Sequence, residues 1–576
     1  MQYIRTIKLL VCLCVFANAR AQLSTNEKPV SFDRESELTV ISKSLTPTVT
    51  TPKLDMAKLA KEDEEDELYD MPPRFGYSHI VNYDLNNSGT WYELPNGDKL
   101  WQLEVVCPSA LSVNFCYDKF WIPEGGKFFV YSKDKKHTIG AFTSINNKGD
   151  KENVRGFATG LMYGDDVILE YYQPKEVTTN AIISIEKVVH GYRYIRTYDL
   201  GYGTSDTCMV NINCDAGKDW QYEKKAVAMI VVNGERWCTG SLINTTDLSQ
   251  KPYLLTADHC LGDSANHFIK YDAVNLPDLE HFTFYWDYEE QGCNNSGIEP
   301  NLDKCTHGAT VVANPYNVYN DHEVKFDFAL LRLTEDPKNL AGYRPYYLGW
   351  DRSDCSGEPG VCIHHPRGDV KKISTILDQP TPSTYDQYHF DQSYWKVFYR
   401  RGVVNGGSSG SALLNAAHRV IGQLRWTSTE GCNYDGYSLY GRFDFSWSGN
   451  NNTDSIHRRL DCWLDSLNTN VPTMDGLLVI PTTKTITIDE QLYCNILIKN
   501  TGHLIIESDV EIKGNGRIIV EPDGWLSIDG GTLSNADIVL KSGATLEIMN
   551  GGILETRNGF EVPVGAVVYI DEGQIL

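Results

Sequence analysis

Three residues far apart in the chain have the types needed to split an acyl bond: His259, Asp327 and Ser409. Ser409 sits in Val404-Asn405-Gly406-Gly407-Ser408-Ser409-Gly410-Ser411, ahead of the apolar Ala412-Leu413-Leu414. Glycines flanking a serine before a hydrophobic run describe a tight turn that exposes one hydroxyl at the mouth of a core. In such a turn the N–H groups of Gly407 and Ser409 can point together at a developing oxyanion. A serine hydroxyl is a poor nucleophile at neutral pH and needs a base within hydrogen-bond reach. His259 follows Leu254-Leu255-Thr256-Ala257-Asp258 and precedes Cys260, and Asp327 opens the apolar stretch Phe328-Ala329-Leu330-Leu331. A carboxylate beside an imidazole fixes its tautomer and stabilises its charged form. Taken singly, these are a core histidine beside a disulfide, a strand-end acid and a flexible turn. Taken together and in this order, they favour the chemistry.

The order His259, Asp327, Ser409 and the context of each resemble the chymotrypsin-like serine proteases. The region is similar to bacterial lysyl endopeptidases in particular. Cys238-Thr239-Gly240-Ser241-Leu242, Phe284-Tyr285-Trp286-Asp287-Tyr288, Leu348-Gly349-Trp350-Asp351-Arg352, Ile363-His364-His365-Pro366, Gly422-Gln423-Leu424 and Tyr440-Gly441-Arg442-Phe443 carry the likeness. It runs from about Cys208 to about Leu467, roughly 260 of 576 residues. It implies a mainly β, chymotrypsin-like double β-barrel that hydrolyses protein or peptide substrates through an acyl-enzyme, with no metal or organic cofactor. It also implies the disulfides Cys208–Cys432, Cys214–Cys293 and Cys238–Cys260. Spacing suggests two further local pairs, Cys107–Cys116 and Cys355–Cys362. Of 15 cysteines, two fall in the leader, so among Cys305, Cys462 and Cys494 at least one is free or intermolecular. No CxxC pair or HExxH helix supports zinc, and His364-His365 matches the family's His-His-Pro, which implies a structural role.

The specificity pocket departs from this pattern. A lysine-cutting enzyme needs a buried carboxylate for the substrate ammonium. Counting back from Gly441-Arg442, the family's pocket aspartate falls on Ser438, and Val403 stands where trypsin-like enzymes carry theirs. Asp435 could fill the gap only if the shortened loop after Cys432 folds back. Arg425 replaces the family's histidine near the substrate, and a guanidinium there attracts a carboxylate and repels lysine. The expectation is a preference for Glu or Asp on the acyl side. The alternative is an Arg425 that faces solvent or pairs with Glu430, leaving a small apolar pocket.

The remaining segments must position or escort this centre. A formal charge of -24 argues against general nucleic-acid binding. Residues 1–22 read as a secretory signal: Arg5 and Lys8, then Leu9-Leu10-Val11-Cys12-Leu13-Cys14-Val15-Phe16, then alanines. The apolar run is too short for a permanent membrane anchor. The protein is therefore expected outside the cytoplasm, without a transmembrane segment. Residues 23–72 are polar and end in Glu62-Asp63-Glu64-Glu65-Asp66-Glu67, a charge run that reads as a flexible solvated segment. Residues 73–200 show short strands such as 100–105, 128–132 and 167–171 between turns. They resemble the family's β-rich propeptide, the alternative being an independent β-sandwich that stays attached and binds carbohydrate or protein.

Resemblance places the mature amino terminus near Gly203, although Leu200-Gly201-Tyr202 offers no lysine for self-release. The protease-like region spans 201–470 and is expected to close with a helix over 455–464, whose Ile456, Leu460, Trp463 and Leu464 share a face. Residues 475–576 alternate in short strands between glycine turns, as in a small parallel β-solenoid that serves as cap, stalk or partner surface. A different class of protein also fits: an exported binding or adhesion protein on an inert protease fold.

Overall fold

A computed structural model describes residues 27–33, 47–68, 72–193, 203, 205–261, 278–315, 326–353, 357–385, 391–429, 431–448, 455–514 and 516–576. The leader, the junction at 194–202, Cys355 and Glu430 lie outside the described residues. The fold is mainly β throughout. No helix among the described residues is long and apolar enough to cross a membrane.

Residues 72–193, with Thr48–Thr50 on one edge, fold as two facing sheets. One contains Lys99–Val106, Lys127–Ser132 and Asp166–Gln173; the other contains Gly76–Asp84, Ser112–Trp121 and Ile182–Gly191. Alternate residues of both sheets, among them Leu103, Val105, Phe115, Tyr117, Phe128 and Leu169, fill the space between them. Period-2 alternation in the sequence thus becomes a core with one face of each sheet outside. This sandwich packs on the next unit. Arg155 and the Gly156 N–H bond Glu280, and the Leu161 N–H donates to Tyr285 Oη at 3.0 Å.

Val227–Val232, Arg236–Leu242, Tyr253–Thr256, Asp278–Tyr285, Cys305–Ala313 and Ala329–Leu333 close into a six-stranded barrel. Val227–Val232 is buried along its whole length, which explains its unbroken apolar run. The second half of this region hydrogen-bonds as an eleven-stranded sheet that includes Val361–His364, Lys372–Ile376, Ala412–Leu414, Arg419–Thr427 and Ser438–Arg442. The three cystines implied by resemblance are present: Cys208–Cys432, Cys214–Cys293 and Cys238–Cys260.

Several expectations are corrected. Cys107 and Cys116 are separate buried thiols, and Cys362 is also free, with its Sγ 3.1 Å from Ser411 Oγ. For Cys107 and Cys116 the spacing misled because the strands beside them, Lys99–Val106 and Ser112–Trp121, belong to different sheets. The acidic run is no loose segment. Met56–Leu68 is a helix whose Asp63 accepts from Arg74 Nε at 3.0 Å and Arg193 Nη2 at 2.6 Å, while Asp66 accepts from Arg236 Nη2 at 2.6 Å. Opposing arginines hold one face of the charge run against the protein. The expected closing helix is interrupted: Ile456–Arg458 is a 3₁₀ turn and Asp461–Leu464 a single helical turn, with extended Arg459 between them.

Residues 476–575 form parallel sheets in which Ile496 stacks on Ile518 and Ile518 on Ile538, as in a β-solenoid. Its first strand, Gly476–Ile480, pairs antiparallel with Tyr346–Tyr347 of the preceding unit. His418 lies between Trp220 and Tyr493, with ring centroids 3.9 and 4.0 Å away, and its Nδ1 is 2.9 Å from buried Glu223 Oε1. His418→Ala removes both stacks and strands the Glu223 carboxylate, so a loss of about 2–4 kcal/mol is expected, read in urea or thermal unfolding.

Candidate functional site

The strand Tyr253–Thr256 delivers His259 into a short turn clamped by the Cys238–Cys260 bridge. The His259 backbone N–H donates to Asp327 Oδ1 at 2.9 Å, and its ring Nδ1 lies 2.7 Å from Asp327 Oδ2. With Nδ1–H given to the carboxylate, Nε2 is the basic nitrogen. Asp327 has no solvent exposure. Burial works to raise its pKa, but the opposing charges of His259 and Arg425 and the bonds from His259 hold it below the ordinary aspartate value.

The backbone that presents Asp327 is strained. Phe326 and Asp327 adopt φ of 85° and 53°, in the left-handed region that bulky residues avoid. Gln423 Nε2 donates to the Phe326 carbonyl at 2.8 Å and holds this bend. Gly441 lets the carbonyl approach, since a Cβ there would lie 2.0 Å from Phe326 O. Gln423 was legible only as part of a family motif. A buried amide in an apolar strand, which needs a hydrogen-bond partner, was the signal of its positioning role.

Ser409 lies between the barrel and the sheet. Its carbonyl accepts from Thr239 N on the barrel side at 2.8 Å, and the Gly410 N–H donates to Leu424 O on the sheet side at 3.0 Å. Gly407 and Gly410 have φ of 90° and 81°. A Cβ at Gly410 would sit 2.1 Å from Thr256 Oγ1, so this close crossing admits only glycine. Ser408 Oγ is anchored 2.7 Å from His364 Nδ1, whose Nε2 is 3.0 Å from Ser374 Oγ. The His-His-Pro stretch thus braces the turn. The Gly407 and Ser409 N–H groups have no acceptor among the described residues. Ser409 Oγ makes no hydrogen bond to the His259 ring there, a contact that commonly tightens only around bound substrate.

On the other side of Ser409, Val403 and Ser438 are buried. Ser438 Oγ donates to Thr427 Oγ1 at 2.8 Å, Thr427 Oγ1 is 2.6 Å from Thr429 Oγ1, and Thr429 donates to Val404 O at 3.0 Å. Among the described residues this network is built of hydroxyls and a backbone carbonyl. Asp435 is exposed on the turn, with its N–H on Asn433 Oδ1. Arg425 is buried, stacked 5.1 Å from the Tyr385 ring centroid, with Nε 3.6 Å from Asp327 Oδ2. Its charge therefore faces the Asp327 carboxylate rather than solvent, and a role for Tyr385 beside it had no sequence signal.

Residues 202–439 match the family model described as lysyl endopeptidase, C-terminal domain. The lysyl endopeptidase of Pseudomonas aeruginosa is 28% identical over 305 residues, 50% of this chain and 60% of that protein. The chain thus spans less than two thirds of this distant relative. Among solved structures, the serine endoprotease from Yersinia pestis aligns at 14% identity over 40% of this chain and 62% of that one, with a TM-score of 0.24. The HtrA-type protease AlgW with tripeptide aligns at 14% identity over 40% and 60%, with a TM-score of 0.26.

Asp258, next to His259, offers a pH test. Burial, then the negative charge of Asp327, raises its pKa to about 7 against the opposing Asn314 hydrogen bond and the charges of Arg458 and Arg425. The native state then holds a proton that the unfolded chain releases near pH 4. Stability from this group is full below pH ~4, falls as pH rises to ~7, and is flat above. Asp258→Asn is expected to remove that slope in unfolding measurements taken between pH 4 and 8.

Proposed function

We propose that this chain is a serine endopeptidase that works through His259, Asp327 and Ser409. The observation that carries this reading is the buried His259–Asp327 pair beside a glycine turn that presents Ser409 and two uncommitted N–H groups. His259 Nε2 takes the Ser409 hydroxyl proton as Oγ attacks a peptide carbonyl. The N–H groups of Gly407 and Ser409 hold the oxyanion, and the imidazolium then protonates the leaving amine. Water, activated by the same nitrogen, releases the acid and restores the serine.

The acyl-side preference rests on charge. The buried Arg425 cation shares its strand with Thr427, and neutral Val403 and Ser438 stand where the resemblance places carboxylates, which favours Glu or Asp over Lys or Arg. The three cystines and the leader-like first residues support export, with the N-terminal sandwich acting as a propeptide that is removed near Gly203.

The test is digestion of a diverse peptide library by processed protein, read by mass spectrometry. Ser409→Ala should lose activity by about 10³-fold or more, and Asp327→Asn by a comparable factor, with folding intact by circular dichroism. Cuts after Glu or Asp support the Arg425 reading, and cuts after Lys or Arg overturn it. No cleavage by correctly processed protein favours the binding-protein alternative.

A further inference from the structure

In the barrel strand Arg236–Leu242, only Ser241 and Leu242 pair with Tyr253–Thr256. The edge from Arg236 to Gly240 is therefore free of that strand: Ser409 O takes the Thr239 N–H, and the chain's own residues 73–76 pair along Glu235–Trp237. Trp237 N–H donates to Pro73 O at 3.1 Å, Phe75 N–H to Glu235 O at 2.8 Å, and Arg74 bridges Arg236 in antiparallel register. Arg236 Nη1 donates to Pro72 O at 2.7 Å. The Phe75 ring stacks on Trp237 with centroids 4.8 Å apart.

This added strand reaches the Ser409 turn. Pro73 Cγ lies 3.2 Å from where a Gly406 Cβ would stand, immediately before the Gly407 N–H. Val403, Ser438 and Arg425 belong to the sheet side of Ser409, whereas Arg236–Gly240 belong to the barrel side, on which Thr239 holds Ser409 O. A peptide whose acyl part lies on the sheet side must carry its leaving-group residues over the barrel edge. Residues 72–76 run in that direction, from Pro73 at the turn to Gly76 at the start of the sandwich strand.

Two features make this strand a plug rather than a substrate. Pro72 and Pro73 bring tertiary amide nitrogens, whose rings crowd the approach of an imidazolium to a leaving nitrogen. The strand is also clipped in place. Opposed Arg74 and Arg236 would repel, but Glu62 and Asp63 bind Arg74 and Asp66 binds Arg236, all from the Met56–Leu68 helix. The acidic run supplies the countercharge that lets two arginines meet beside the site.

We propose that residues 72–76 are a self-inhibitory β-strand that fills the leaving-group side of the Ser409 cleft in the unprocessed chain, clipped there by the acidic helix. This rests on the peptidase reading. The strand blocks peptides that extend beyond the cut bond and leaves the acyl side open.

The test uses unprocessed full-length protein, its integrity checked by mass spectrometry, as wild type and with Asp66→Asn or Phe75→Ala. Two substrates are compared: a chromogenic ester with no residues beyond the cut bond, and a quenched peptide with four. Each variant should raise the rate on the long peptide about tenfold and leave the ester rate within about twofold. Equal gains on both substrates, or none on either while the ester is cut, overturn the strand. Phe75 is buried, so Asp66→Asn decides if Phe75→Ala fails to fold. If neither substrate is cut and a fluorophosphonate probe does not label Ser409 even in processed protein, the peptidase reading has failed. The strand is then judged by hydrogen exchange of the Trp237 amide: faster exchange in Asp66→Asn supports the clipped strand, and unchanged exchange overturns it.

Discussion

The buried pairing of His259 with Asp327 is the constraint to which the surrounding structure answers. A carboxylate with no solvent exposure is costly to keep ionised, so it must be met by charge and hydrogen bonds from several sides. His259 supplies a ring nitrogen and a backbone N–H, and Arg425 supplies a second cation. Holding the acid there requires a left-handed bend at Phe326 and Asp327, and that bend requires Gln423 above its carbonyl and a glycine at 441. The barrel contributes the histidine and the acid, the sheet contributes the glutamine, the arginine and the serine turn. Neither half makes the centre alone.

Charge compensation recurs away from the centre. The Met56–Leu68 helix sets its carboxylates against Arg74, Arg193 and Arg236, and Lys224 and Lys371 share buried Glu289. These acids meet at least as many cations, so the formal charge of -24 rests on the other residues. The N-terminal sandwich and the C-terminal solenoid are both joined to the barrel and sheet unit by strand additions, one at Arg236 and one at Tyr346–Tyr347. Open strand edges that would otherwise invite foreign pairing are covered by the chain itself.

Local pattern was a good guide where one residue type has one physical use. Alternating apolar residues had to become half-buried strands, and glycines around Ser409 had to become a turn with positive φ, because no other residue tolerates it cheaply. The order of His259, Asp327 and Ser409, each in a familiar context, singled out a histidine and an acid that pair in the structure. The same local reading failed where the partner lies far along the chain. An acidic run looks solvated until arginines 11 and 170 residues away claim it, and cysteines close in sequence look paired until the sheet separates them.

The sequence by itself thus determined the mainly β character and the C-terminal solenoid, and it nominated His259, Asp327 and Ser409 for acyl-transfer chemistry. These follow from local periodicity and from side-chain types that few other roles require. Only the tertiary structure decided that Arg425 faces Asp327, that Gln423 holds the strained bend, and that Pro73 lies against Gly406. Those contacts join residues from about 100 to more than 300 positions apart. Burial and countercharge, which no single stretch of chain encodes, set their geometry.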